Sequence, residues 1–179
     1  MKIQPSEAMA LGKTFFESGL FTDIKSAQQA VVKIMAGAEI GLPPFAAMSG
    51  IYVILGKPVV GAGVMASLIK GSGKYDYKVI KQGDDACSID FYEGKEKLGN
   101  STFTIGDARK AGTKNIDKFP KNMLFARAIS NGVKWYCPDV FNGPVYVPGE
   151  IQDAEVVADR QDPTPDPQPD YSQYNDLPL

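Results

Sequence analysis

YDYKVIKQGDDACSIDFYEGKEKLGNSTFTI, residues 75–105, sets the fold class. Three runs within it, YDYKVIK, ACSIDFY and KLGNSTFTI, are rich in aromatic and β-branched residues, and QGDD and EGKE part them with the glycine and aspartate that tight hairpins use. The stretch predicts a three-stranded meander. On both sides the hydrophobic period lengthens. Residues 6–17 and 26–39 carry apolar groups at helical spacing (Leu11, Phe15; Ala27, Ala30, Val31, Ile34, Met35), with Gly19 and Gly41 as helix stops. PPFAAMS predicts a short helical turn, IYVILGKPVV a hairpin turning at Gly56-Lys57, and GAGVMASLIKGSG a helix ended by glycines. After the meander come a short helix at GDARKAG and a longer one begun by Pro120 and running to about Lys134. The expected class is α+β: N-terminal helices, a β-hairpin and a three-stranded antiparallel meander packed with a long basic helix, then a disordered acidic tail. No internal repeat is present.

At 179 residues and 44% hydrophobic, the chain has material for one core of ordinary size. No run approaches the roughly 20 apolar residues of a membrane span, and MKIQPSEAMALGK lacks the apolar centre of a signal peptide. A cytoplasmic protein with no membrane partner is expected. In that reducing setting Cys87 and Cys137 read as buried thiols rather than a disulfide. The chain has no histidine, which excludes Ser-His-Asp triads, Cys-His dyads and His-containing zinc sites, and two cysteines make no four-thiolate site. Asp84, Asp85, Glu93 and Glu96 fall in turn-like segments and read as solvated. No catalytic group, metal or cofactor is expected. GKPVVGAG has glycines where a phosphate loop would, but lacks its Gly-Lys-Ser/Thr ending.

The net charge of −2 hides an asymmetry. From residue 149 onward eight carboxylates face Arg160 alone, a net of −7, so the remainder keeps 18 bases against 13 acids, or +5. A basic body with an acidic, proline-rich tail suggests a polyanion partner for the body. The tail, DRQDPTPDPQPDYSQYNDLPL, has too few large apolar groups to offset its ordering entropy and is expected to be disordered in isolation. A basic partner, competition with the body's own ligand and simple solubilisation are its three open roles.

Residues 114–146, KNIDKFPKNMLFARAISNGVKWYCPDVFNGPVY, concentrate the basic character. On a helix from Pro120, Arg127, Asn131 and Lys134 stand at i, i+4 and i+7 on one face, while Leu124, Phe125, Ala128 and Ile129 point largely elsewhere. Lys114, Lys118 and Lys121 crowd the helix start, where free backbone N–H groups already favour an anion. Phe119, Trp135 and Tyr136 interleave with these charges and offer faces for bases to stack on. The plainer alternative is a half-buried helix with a solvated basic face and core aromatics.

The pattern K-F-P-x-x-M-L-x-x-R-A, Lys118 to Ala128, followed by P-D-V-F-N-G-P-V-Y, resembles the RecT/Redβ family of bacteriophage single-strand annealing proteins. AVVKIMAGAEIGLPPFAAMSGIYVILGKPVVGAGVMASLI is similar to the N-terminal portion of its shorter members, so the resemblance covers roughly residues 5–150. Ile116 stands where the family usually has an aromatic. The resemblance implies an annealing domain over residues 1–150, with a basic groove that holds single-stranded DNA by its backbone, acting as a homo-oligomer without ATP in the host bacterial cytoplasm. Carried onto this sequence, Lys118, Lys121 and Arg127 become phosphate contacts; proximity and helix phase, not the motif, add Lys114 and Lys134, with Asn131 on the same helix face and Trp135 as a stacking ring. Annealing breaks no covalent bond, so a sequence poor in catalytic groups suits it. A single-stranded DNA-binding or replication accessory module without annealing activity is the alternative.

Residues 151–179 form the expected tail, and its tip, Asp176-Leu177-Pro178-Leu179, resembles the acidic, proline-containing tip of bacterial single-stranded DNA-binding proteins, with Leu where those usually have Phe. That resemblance implies a host replication or repair protein as the tail's partner.

Overall fold

A computed structural model describes residues 3–54, 57–113 and 115–141. Three helices come first: α1 (Pro5–Glu17), α2 (Ala27–Glu39) and α3 (Pro44–Gly50). Proline at the first turn starts α1 and α3, and the Ser26 side chain accepts from the Gln29 N–H to cap α2. Gly19 and Gly41 follow α1 and α2 at φ of 67° and 79°, in the left-handed region that ends a helix without a Cβ penalty. Ala8, Ile24, Ala30, Ile34 and Met48 bury together between these helices. Lys33 is fully buried at their edge, where its ammonium lies 2.6 Å from Asp23. The pairing offsets the cost of taking that charge out of water.

The hairpin of β1 (Ile51–Ile54) and β2 (Lys57–Val60) is antiparallel, with Ile54 opposite Lys57. Lys57 therefore belongs to a strand, not to the turn expected at Gly56-Lys57. α4 (Ala62–Gly71) leads into β3 (Tyr75–Gln82), β4 (Ala86–Glu93) and β5 (Glu96–Thr104), an antiparallel sheet in the order β3-β4-β5. Its hairpins fall at the expected turns. Irregularities between Val79 and Lys81 and between Phe91 and Tyr92 shift the register of both ladders. The α+β class is borne out, with both the hairpin and the meander present.

α5 (Ile105–Ala111) is held at its start by a reciprocal cap between Thr104 and Asp107 and stopped by Gly112 at φ 70°. α6 (Pro120–Tyr136) crosses the meander and is followed by a short 3₁₀ turn, Pro138–Val140. Cys87, Ile89 and Phe91 project from β4 into one core with Leu124, Ala128, Ile129 and Val133 of α6 and with Met65 and Ile69 of α4. A side chain at Gly132 would overlap the Phe91 ring, and one at Gly99 would overlap Tyr136. These two glycines let α6 lie close on the sheet. Ser101 Oγ donates to the Ala128 carbonyl at 2.7 Å across the same contact.

Among the described residues no single helix is long and apolar enough to cross a membrane. The domain boundary expected at residue 150 and the tail beyond it lie outside the described residues.

Candidate nucleic-acid interface

Close packing on the sheet determines which way each α6 residue faces. Gly132, Tyr136 and Ala128 are committed to β4 and β5, so the stripe of Arg127, Asn131 and Lys134 falls along the helix flank, where Asn131 and Lys134 are half-buried. Arg127 is only 8% exposed. Its guanidinium carbon lies 5.9 Å from the centroid of the Phe103 ring on β5, within reach of a cation–π contact. The stripe expected from the sequence exists as a shared face, but it lies in a covered strip rather than on an open surface.

The lysines before it are placed differently. Lys118 and Lys121 are exposed at the start of α6, and Lys121 stands about 120° around the helix from Arg127. Phe119 and Trp135, 60% and 57% exposed, are open to solvent at opposite ends of the helix. Tyr136 turns inward, its ring 5.6 Å from Phe91 and its hydroxyl donating to the Asn100 carbonyl. Ile116 is buried in the main core, so this position supplies packing and no stacking face. Lys114 and the tip residues Asp176, Leu177, Pro178 and Leu179 lie outside the described residues.

Two cations missed in the sequence reading adjoin this region. Arg109 and Lys110 are exposed in the last turn of α5, which packs against α6. The signal was available: residues 109–134 hold seven bases and one acid, Asp117. Among the described residues no carboxylate lies within ion-pair distance of Arg109, Lys118 or Lys121.

On the meander and its flanks Lys78 and Lys95 are also exposed with no ion pair among the described residues, but four other lysines are paired. Lys70 pairs with Asp76, Lys74 with Asp139 at 2.7 Å, Lys81 with Asp85, and Lys97 with Asp90 at 2.6 Å. The ammonium groups hold these carboxyls below the usual aspartate range: Lys70 acts on Asp76, Lys81 on Asp85, Lys97 and then Asn100 on Asp90, and Lys74 on Asp139. Each such cation is already neutralised.

A cavity of about 590 Å³ opens where α3, the start of α4 and α6 meet. Gly50, Tyr52, Gly63, Met123, Ala126 and Arg127 are among the residues that line it. Arg127 thus belongs both to the stripe and to this cavity. The thiols stand apart from either: burial pushes Cys87 up to about 11 and Cys137 up to about 12, so both stay protonated and poorly nucleophilic at neutral pH. Among the described residues no three His, Cys, Asp or Glu side chains gather where a metal ion could be held. Asp84, Asp85, Glu93 and Glu96 are exposed.

No protein-family model matches the chain, and no curated protein matches it.

Proposed function

We propose that the chain binds single-stranded DNA through the α5–α6 side and anneals complementary strands without ATP, as a homo-oligomer of RecT/Redβ type in the cytoplasm of a phage-infected host. The observation that carries this reading is the contrast in cation pairing. Lys70, Lys74, Lys81 and Lys97 around the meander are matched with carboxylates, whereas Arg109, Lys118 and Lys121 have none among the described residues. Unmatched cations at a surface attract a polyanion and release its counterions on contact. The exposed rings of Phe119 and Trp135 add faces on which bases stack without regard to sequence. The half-buried flank of Asn131 and Lys134, closed by Arg127, gives a phosphate backbone a second row of donors.

Annealing asks for phosphate neutralisation and for bases left free to pair; it asks for no nucleophile, metal or hydrolysis. The acidic tail, with its net −7, is the natural competitor for the same cations, and its apolar tip suits a pocket on a host replication or repair protein.

The test mixes complementary oligonucleotides with the protein over a range of salt concentrations. Faster pairing than in buffer, with binding that weakens steeply as salt rises, supports the reading. Tight binding that slows pairing identifies a protective single-strand binder instead. Affinity that does not change with salt overturns the phosphate interface.

A further inference from the structure

We infer that the exposed face of α1 and α2 is a contact between two copies of this chain related by a two-fold axis. This names a surface for the homo-oligomer proposed above and rests on that part of the reading, not on DNA binding. Between the two helices lies a hollow of about 400 Å³ lined by Met9, Lys13, Ala27, Gln28, Val31 and Val32. None of these is among the buried residues of the N-terminal core. The helices already touch where Gly12 meets Val31, with no room there for a Cβ, so the hollow is a groove on a closed helix pair.

Its edges are apolar. Met9 and Phe16, seven residues apart, share one side of α1, and Val32 and Met35, three apart, share one side of α2. Met9 is 65% exposed, Val32 48% and Met35 45%. An amphipathic helix turns such a stripe inward, and a contiguous apolar patch left in water marks an interaction surface.

Charge and shape select a second copy as the occupant. Residues 5–39 hold three bases and four acids, whereas the chain before residue 149 carries +5. Copies repel one another through that excess, and this near-neutral face is where they can approach. Lys13, the cation of the groove, has Glu17 at 3.8 Å, so a polyanion gains little there. A two-fold contact needs a hollow and a ridge on one patch, because each copy gives what it receives. Val32 and Met35 are that ridge: a rotated copy lays its own pair in the groove of the first and accepts the first copy's pair in return. The same rotation reverses the direction of α1, so the Lys13–Glu17 pair meets its own reverse, positive beside negative. Two 13-residue helices, each about 20 Å long, make a contact at the small end of specific interfaces, and association in roughly the micromolar range is expected.

The test is sedimentation velocity of the nuclease-treated full chain in high salt, where nucleic acid does not bridge copies. Wild type should associate as its concentration rises from about 1 to about 100 µM. Val32→Glu and Met35→Glu, which would bury a charge in the contact, should each move the midpoint up by about tenfold or more. Both side chains lie at the surface, so thermal unfolding should stay as in wild type. Lys13→Glu should weaken association, and Lys13→Glu combined with Glu17→Lys should restore it, a rescue that a folding defect would not show. Wild type that stays monomeric overturns the contact, and the homo-oligomer with it if an added oligonucleotide assembles nothing. Flotation of that monomer with neutral lipid vesicles would give the face to a membrane instead. Association that survives both glutamate variants overturns this contact and leaves a homo-oligomer built on another face. Failure to bind single strands would sink the DNA reading and leave the two-fold contact standing.

Discussion

The meander and the α5–α6 side use the same lysine side chains in opposite electrostatic company. Around the meander Lys70, Lys74, Lys81 and Lys97 are each closed by a carboxylate, Lys74 by the distant Asp139 and Lys97 by Asp90 across the β4–β5 pair, while Lys78 and Lys95 have no ion pair among the described residues. On the α5–α6 side Arg109, Lys118 and Lys121 stand exposed with no carboxylate beside them among the described residues. Exposed pairs add little stability, yet they cancel the local field. The difference teaches that the local field depends on which cations are left unmatched rather than on how many there are.

The hardest way to break the contrast is to lift α6 off the sheet. Gly132→Ala forces a methyl group into Phe91 and should cost about 3 kcal/mol, seen as a lower urea midpoint, because the overlapped ring lies in the middle of the core. An unchanged midpoint would mean that α6 has room to shift and that its facing is not fixed by this contact.

Next in size is removal of the unmatched charges. Arg109→Ala, Lys118→Ala and Lys121→Ala together should weaken single-strand binding by roughly tenfold or more at low salt and reduce the salt slope by about 2, with little change in thermal unfolding. The same number of changes at Lys70, Lys74 and Lys81 should leave binding nearly as it was. If both triples weaken it equally, pairing is not what distinguishes the two sides.

Arg127 tests the boundary between them. Because it is buried against Phe103, Arg127→Ala should lose about 1–3 kcal/mol of stability as well as binding. Arg127→Met keeps most of the packing volume and removes the charge, so it should fold like wild type and bind more weakly. Equal binding by Arg127→Met and wild type would make the guanidinium purely structural.

The smallest expected effect is acidic. Lys97 and Asn100 hold the Asp90 carboxyl below its ordinary value, so the folded state binds this proton less readily than the unfolded chain does. The stabilisation is full above about pH 4, the ordinary aspartate value, and is lost as pH falls through the depressed folded value. Thermal unfolding of Asp90→Asn should therefore show a shallower fall than wild type below about pH 4. Parallel curves would show that the Asp90–Lys97 pair does not contribute.

Much of the architecture was legible because its signals are local. Proline at Pro5 and Pro120 starts helices, Gly19 and Gly41 end them, and the turn residues of QGDD and EGKE mark both hairpins of the meander. The one-residue error at Gly56-Lys57 has an equally local origin: glycine signals a turn without stating which pair closes it. The candidate site was legible in part. Helical spacing put Arg127, Asn131 and Lys134 on one face, but the same spacing cannot say what that face meets.

By itself the sequence determined the α+β class, the positions of the elements and the concentration of basic residues between Arg109 and Lys134, because periodicity, capping and composition act over a few residues. Tertiary structure alone decided that Lys70, Lys74, Lys81 and Lys97 are matched while Arg109, Lys118 and Lys121 have no carboxylate beside them among the described residues, and that Arg127 is buried over Phe103. Coulombic pairing and burial depend on distances between side chains, and those distances exist only once α6 has packed on the sheet.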